Sequence, residues 1–299
     1  MYMYLIIFLM NPDSSHRYFN ELKNVGKIYS VCKMNDDEFL IASIDKTIRS
    51  VSLKTNEILH TFEGHNDLVY WVCKITNDVF VSCSDDCVIN FWSYSEKKCL
   101  ASVKGHSEYM TSICKIDEET FATTGYDKTV KFWSIKTFEC IHTITEIDCI
   151  IYMSFLFDSN TLLIGCKDSL IRIYSISEKK IIGELKGHSI EVIAFCKLTE
   201  DIFASGSADS DIKLWSFKKM ECIATLKGHS DRVYSLATLN EDLFASGSGD
   251  KTVKIWSFSK LKEVETLTGH ESCIRTICKM NDEVIISGSK DESVKLWKY

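Results

Sequence analysis

The amino-acid sequence predicts an all-β protein, a seven-bladed propeller of four-stranded antiparallel blades, and three regularities carry that reading. One phrase returns six times at a constant spacing of 41 residues, most clearly between residues 226 and 257 as LKGHSDRVYSL and LFASGSGDKTVKIWS. Gly-His pairs stand at Gly64-His65, Gly105-His106, Gly187-His188, Gly228-His229 and Gly269-His270, and Trp92, Trp133, Trp215, Trp256 and Trp297 close the units, with Tyr174 in register. The Asp column is more regular still: Asp45, Asp86, Asp127, Asp168, Asp209, Asp250 and Asp291 expose a seventh, weaker copy at the start. Units of this length cannot bury their own apolar faces, so they pack side by side, and seven of them close a ring.

Each unit reads as four short strands. In the sixth they fall at about 221 to 226, 232 to 238, 242 to 247 and 252 to 257, with Gly, Asp, Asn and Lys in the turns. Val253 and Ile255 point to one face and Lys254 and Trp256 to the other, so both faces are covered. The stem of Lys254 is expected along the neighbouring blade, with its head in water. The one Pro, Pro12, lies outside the strands, so nothing interrupts the ladders. The last unit runs out after its third strand, and residues 17 to 22 are expected to supply the fourth and close the ring. A shift of one residue places Phe19 and Leu22 where the next unit has Leu59 and Phe62.

The repeat makes residues 16–299 a single domain, although length alone favours about two. Residues 1–15 form an apolar tail left unassigned. Its run MYMYLIIFLM is too short to span a bilayer and lacks the basic start and small-residue cleavage site of a secretory signal. No membrane association is expected.

Thirteen Cys is an odd number, and no Cys-x-x-Cys pair exists. Cys32, Cys73, Cys114, Cys196 and Cys278 share one repeat position on an inner strand, where Cys acts as a small buried hydrophobe. Cys83 and Cys87 lack a second pair to complete a zinc site, so no metal is expected. Unpaired thiols fit a reducing, cytoplasmic setting. A net charge of −7 without a long basic stripe argues against nucleic acid as partner. Acids recur in the turn between the first two strands of a blade, as at Asp36-Asp37 and Asp282-Glu283, and lysines such as Lys97-Lys98 answer them before the fourth strand.

The ordered set of Gly-His, Ser or Thr, Asp and Trp resembles the WD40-repeat family over residues 16 to 299. One departure is consistent: the Asp that usually follows the Trp is Ser93, Ser134, Ser175, Ser216 or Ser257, and Lys298 in the last copy. The resemblance implies that Trp donates to Ser/Thr, Ser/Thr to His, and His to Asp. The sets are His65, Ser82, Asp86, Trp92; His106, Thr123, Asp127, Trp133; His188, Ser205, Asp209, Trp215; His229, Ser246, Asp250, Trp256; and His270, Ser287, Asp291, Trp297. Their donors and acceptors can satisfy one another, since indole only donates, carboxylate only accepts, and imidazole and hydroxyl do both. Five copies of His, Ser or Thr and Asp are a structural tie, not a catalytic site. Two units lack it: Asn24, Ile41, Asp45 and Val51 hold the positions in the first, and Ile147, Ile164, Asp168 and Tyr174 in the fourth. Apolar replacement of the linked groups can be nearly neutral, and the remaining Asp is expected to stay on its turn backbone.

Every unit has the same length, so no inserted lid or catalytic loop exists, and function is sought on the surface left once structure has taken its residues. The resemblance implies contacts on the top face, from residues flanking the Val233 position and from the residue before each tetrad Asp. The candidate partner-binding residues there are Tyr29, Tyr70, Tyr109, Tyr126, Tyr152, Arg232, Tyr234, Arg275 and Lys290. Tyr and Arg dominate binding hot spots because each joins a large contact area to a polar tip. The expected function is a non-enzymatic scaffold or adaptor, a monomeric propeller within a larger complex, holding a protein or an acidic or phosphorylated peptide. No cofactor is expected. The alternatives are a substrate-recognition subunit of a ubiquitin ligase, against the cullin-linked form of which no Trp-Asp-x-Arg sequence occurs, and a propeller enzyme, for which the rim offers only Asp85 and Glu191. The plain counter-reading of the arginines is pairing of Arg232 and Arg275 with local acids such as Asp231 and Glu271.

Overall fold

Short runs with a period of two, cut by polar turns every few residues, have only one way to bury both faces, and that is to stack as small sheets. The computed structural model describes residues 18–299, and the tail at 1–15 lies outside them. Among the described residues the chain forms 28 strands in seven sheets of four, and no helix. In chain order the blades occupy residues 28–62, 69–104, 110–144, 151–185, 192–226, 233–267 and 274–298. In the sixth sequence unit the strands are Glu221–Leu226, Val233–Thr238, Leu243–Ser248 and Val253–Ser257, each within a residue of expectation.

Glu221–Leu226 pairs with Ile212–Ser216, so it is the outer strand of blade five and not part of blade six. Every sequence unit therefore straddles two blades, and covalent continuity stitches neighbours together. The same offset leaves the last blade short of an outer strand, which Tyr18–Lys23 provides by pairing antiparallel with Ser293–Lys298. Leu22 faces Val294 as Phe62 faces Ile48, and the register shift that skips Phe19 matches the one that skips Leu59. The expected one-residue shift is thus the observed one. Tyr18 meets the ring of Trp297 edge-on at 5.6 Å, and Glu21 takes the buried ammonium of Lys295.

The core is distributed between blades, not gathered at one centre. Leu40, Ile48 and Phe62 of blade one pack with Val69, Phe80 and Trp92 of blade two, and the pattern repeats to Val253, Leu267, Ile274 and Trp297. Fully burying each such side chain contributes about 1.5 to 3 kcal/mol, which is why the blades hold only as a ring. Close approach fixes two glycines: a Cβ on Gly206 would stand 2.7 Å from Val233, and one on Gly288 would stand 2.5 Å from Ile28. One expectation fails. The head of Lys254 does not reach water but bonds Glu263 at 2.8 Å and Thr266 at 2.7 Å within its own blade, where the residue is 9% exposed; a carboxylate and a hydroxyl on the adjoining strand satisfy the ammonium at less cost than full extension.

Candidate functional site

The tetrads form in all five blades that carry them. In blade six Trp256 Nε1 donates to Ser246 Oγ at 2.7 Å, Ser246 Oγ lies 2.6 Å from His229 Nε2, and His229 Nδ1 lies 2.7 Å from Asp250. Trp can only donate and carboxylate can only accept, so the proton of the neutral imidazole sits on Nδ1 and the Ser hydroxyl donates to Nε2. Blade two repeats the chain through Trp92, Ser82, His65 and Asp86, and blade three through Trp133, Thr123, His106 and Asp127. Blades five and seven do so through Trp215, Ser205, His188, Asp209 and Trp297, Ser287, His270, Asp291. Each hydroxyl belongs to a fully buried residue and already accepts from an indole, so no substrate can reach it. Burial alone would raise the Asp carboxyls, but hydrogen bonds from the imidazoles and nearby backbone N–H groups outweigh it; Asp86 is held down to about 2, and the other four are also well below the ordinary range.

The Asp column persists in all seven blades because the carboxylate has a second task. Its Oδ1 accepts the N–H two residues on, from Thr47, Val88, Thr129, Leu170, Asp211, Thr252 and Ser293 in turn, closing the turn between the second and third strands. In the two blades without imidazole, the Asp also gains a partner that the sequence reading missed. Arg49 donates to Asp45 at 2.5 Å, and Arg172 donates to both oxygens of Asp168 at 3.1 and 2.7 Å. Both arginines stand four residues after the Asp, where the tetrad blades have Asn90, Lys131, Lys213, Lys254 and Lys295. Tyr174, at the Trp position, places its hydroxyl 2.8 Å from His142 Nε2.

The Ser that follows the Trp also has a physical cause. Ser93, Ser216 and Ser257 donate to Asp78, Asp201 and Asp242 at 2.9, 2.9 and 2.8 Å. An Asp there would set two carboxylates face to face.

At the ring axis the structure brings one sequence column together. The residues after the inner-strand starts, Tyr29, Tyr70, Thr111, Tyr152, Ile193, Tyr234 and Arg275, all line a cavity of about 210 Å³ at the channel mouth, with Trp71, Tyr126 and Arg232. Tyr29 and Tyr70 lie 5.3 Å apart, and Tyr126 meets Tyr152 edge-on at 6.0 Å. Arg275 sits 4.1 Å over the ring of Tyr234 and donates to the hydroxyl of Tyr70 at 2.8 Å. Burial raises the pKa of Tyr70, and burial with the hydrogen bond to Tyr126 raises that of Tyr152.

Two candidates stand elsewhere. Tyr109, 54% exposed, lies outside the cavity with its ring 6.1 Å from that of Tyr126, and Lys290 sits at the margin, its ammonium 5.7 Å from the Tyr29 ring. The pairing of the arginines with Asp231 and Glu271 is not observed. Asp231 caps the backbone of Arg232, whose guanidinium reaches across the blade boundary to Glu191 at 2.5 Å, while Arg275 takes Tyr70. A partner the candidate set omitted is Lys27: burial, then Arg275 and Lys27, push the Lys290 ammonium below its usual pKa. Among the described residues no acid pairs with Lys27, Arg275 or Lys290. Of the two rim acids, Glu191 on blade five is held by Arg232, and the charges that act on Asp85 on blade two are those of Asp67 and Asp86. Trp71, Thr111 and Ile193 were also outside the candidates, although Thr111 and Ile193 stand in the column and are missed only by a search for Tyr and Arg.

No curated protein matches the chain. Residues 56–93, 97–134, 179–216, 220–257 and 261–298 match the family described as WD domain, G-beta repeat. The five matched stretches end the five tetrads, and the two unmatched units are those in which Arg replaces imidazole as the partner of Asp. Together the matches, the seven four-stranded blades and the strand exchange at closure show that the chain belongs to the WD40-repeat family.

Proposed function

We propose that this propeller is a non-enzymatic adaptor that binds an acidic or phosphorylated peptide segment of a protein partner at the channel mouth, as a monomer within a larger cytoplasmic assembly. Propellers of this family typically serve as protein-interaction platforms. The observation that carries the finer reading is Arg275 over the rings of Tyr29, Tyr70 and Tyr234 with Lys290 over that of Tyr29, the charge of Lys27 acting on Lys290. Cations without acidic partners over aromatic walls favour an anionic chain that also buries apolar surface. Arg232 has a lesser part, because Glu191 already neutralises it. The thirteen free thiols support the cytoplasmic setting.

Fluorescence anisotropy with acidic, phosphorylated and neutral peptides of matched length tests the reading. The acidic or phosphorylated probes should bind in a salt-dependent way, and Lys27→Ala with Lys290→Ala should weaken them roughly tenfold. Equal binding of neutral probes, or no effect of the double substitution, would reject it.

A further inference from the structure

Blade four contains a group that the interaction surface does not use. Cys149 Sγ, Cys166 Sγ and an Asp168 carboxylate oxygen lie within 4.8 Å of one another, and Arg172 Nη1 donates to Cys149 Sγ at 3.7 Å. The repeat brings these two positions together. At the position of Cys166 four of the other six blades have Ser84, Ser207, Ser248 and Ser289, whose hydroxyls donate to the carbonyls of Asp67, Ile190, Asp231 and Ser272 at 3.1, 3.2, 2.9 and 3.1 Å. Those carbonyl residues occupy the position of Cys149. Blade four thus has Cys at both ends of a contact that the fold makes four times elsewhere.

We propose that Cys149 and Cys166 form a reactive dithiol, in which half-buried Cys149 exchanges with a low-molecular-weight disulfide and fully buried Cys166 resolves the product to an intramolecular disulfide. Arg172 is a positioning residue: Asp168 holds its guanidinium on both oxygens, and the guanidinium faces the sulfur that must carry negative charge. The thiols differ in character. A hydrogen bond from Cys166, against the opposing effect of burial, brings the Cys149 thiol down to about 7, whereas that same bond and burial push Cys166 up. Burial raises the inner-strand thiols Cys32, Cys73, Cys114, Cys196 and Cys278 instead. Two thiols and a carboxylate can also hold a soft cation. Here the guanidinium already places positive charge against both Cys149 and Asp168, which favours a thiolate over a metal.

The exchange balances. The Cys149 thiolate attacks one sulfur of the small disulfide, a mixed disulfide forms, and one small thiolate leaves. Cys166, giving its proton to solvent, attacks the Cys149 sulfur and expels the second small thiolate. The protein sulfurs lose two electrons and the disulfide gains them as two small thiolates, while the proton of Cys166, like the one Cys149 has already shed, passes to solvent or to those thiolates.

The test uses excess 5,5′-dithiobis(2-nitrobenzoate) at pH 7 on the folded chain, with exposed Cys99 and Cys140 both changed to Ser. A phase roughly tenfold faster than the remaining thiols should release two thiolates per chain and leave a peptide linking Cys149 to Cys166. Cys166→Ser should keep that phase, release one thiolate and retain the aromatic adduct on Cys149, and Cys149→Ser should abolish the phase. Persistence of the fast phase in Cys149→Ser overturns the proposal. So does a stable adduct on Cys149 while Cys166 is present, or stoichiometric zinc bound by the reduced protein and lost in Cys149→Ser. Peptide mapping of the unsubstituted chain after oxidised glutathione needs no variant; a Cys149–Cys166 link supports the pair, and its absence rejects it.

Discussion

Arg275 Nη2 donates to Tyr70 Oη at 2.8 Å and so ties blade seven to blade two across Tyr29 of blade one. This bond spans the place where the ring closes. It also occupies part of the guanidinium that the acidic-peptide proposal needs, and that guanidinium lies against the rings of Tyr29, Tyr70 and Tyr234.

Removing only the hydroxyl separates those two roles. Tyr70→Phe keeps the ring under Arg275 and frees its donors, so affinity for an acidic peptide should stay level or rise. Arg275→Lys keeps the charge but loses the planar fork, and affinity should fall roughly tenfold. Anisotropy titrations of the two variants decide it. A loss on Tyr70→Phe that equals the loss on Arg275→Lys would mean that the pair, not the free guanidinium, builds the surface.

The tetrads and their substitutes should differ in strength. Asp250→Ala leaves the Nδ1–H of buried His229 without its acceptor, which costs about 1 to 3 kcal/mol. Asp45 is less enclosed, with 35% of its side chain exposed, and Arg49 keeps a bond to the Val25 carbonyl at 3.1 Å. Asp45→Ala should therefore cost about 1 kcal/mol or less. Urea unfolding gives both numbers, and equal costs would show that the arginine pair is a full replacement for the imidazole chain.

The ring was legible because the forces that make it repeat. Period-two strands, a fixed Asp and the Trp column each recur, and even the skipped residue at Phe19 could be read by aligning it with Leu59. What stayed hidden depends on contacts between positions that do not repeat. Arg49 and Arg172 stand where other blades have Lys or Asn, so only the loss of His reveals their task. Cys149 and Cys166 are 17 residues apart in the chain and resemble no Cys motif; their positions are the two that a Ser-to-carbonyl bond joins in four other blades, a pairing invisible without coordinates. At the channel mouth the residue column was readable, but the direction of each side chain was not. Arg232 turned to Glu191 on the preceding blade, beyond the local acids that sequence proximity offered.

Closure by an N-terminal strand makes the chain sensitive to loss of six residues. Deleting residues 1–23 removes Tyr18–Lys23, bares the backbone of Ser293–Lys298 and strands the buried ammonium of Lys295. An open edge of that kind pairs with other chains. Size-exclusion profiles should show oligomers or aggregate for this deletion, while deletion of residues 1–12 leaves a monomer. A monomeric, cooperatively melting product of the longer deletion would mean that the outer strand does not hold the ring.

Two sets of carboxylates bend the pH profile in opposite directions. Asp86 has its folded pKa at about 2, and Asp127, Asp209, Asp250 and Asp291 are also depressed, against about 3.9 when unfolded. The unfolded chain therefore binds protons first as pH falls, and the stability these bonds give is full above about pH 4 and lost progressively below it. Asp85 is the reverse case. Burial, and then the charges of Asp67 and Asp86, raise its pKa to about 6, so it destabilises the fold at neutral pH and that penalty disappears as pH falls from about 6 to 4. Melting temperature should hence rise modestly from pH 7.5 to about pH 5 and drop steeply below pH 4. Asp85→Asn should raise the melting temperature at pH 7.5 and not at pH 4, flattening only the first limb, whereas Asp250→Ala should lower it at neutral pH and soften only the second. A single monotonic fall from pH 7.5 downward, unchanged by Asp85→Asn, would contradict the assignment of the two limbs.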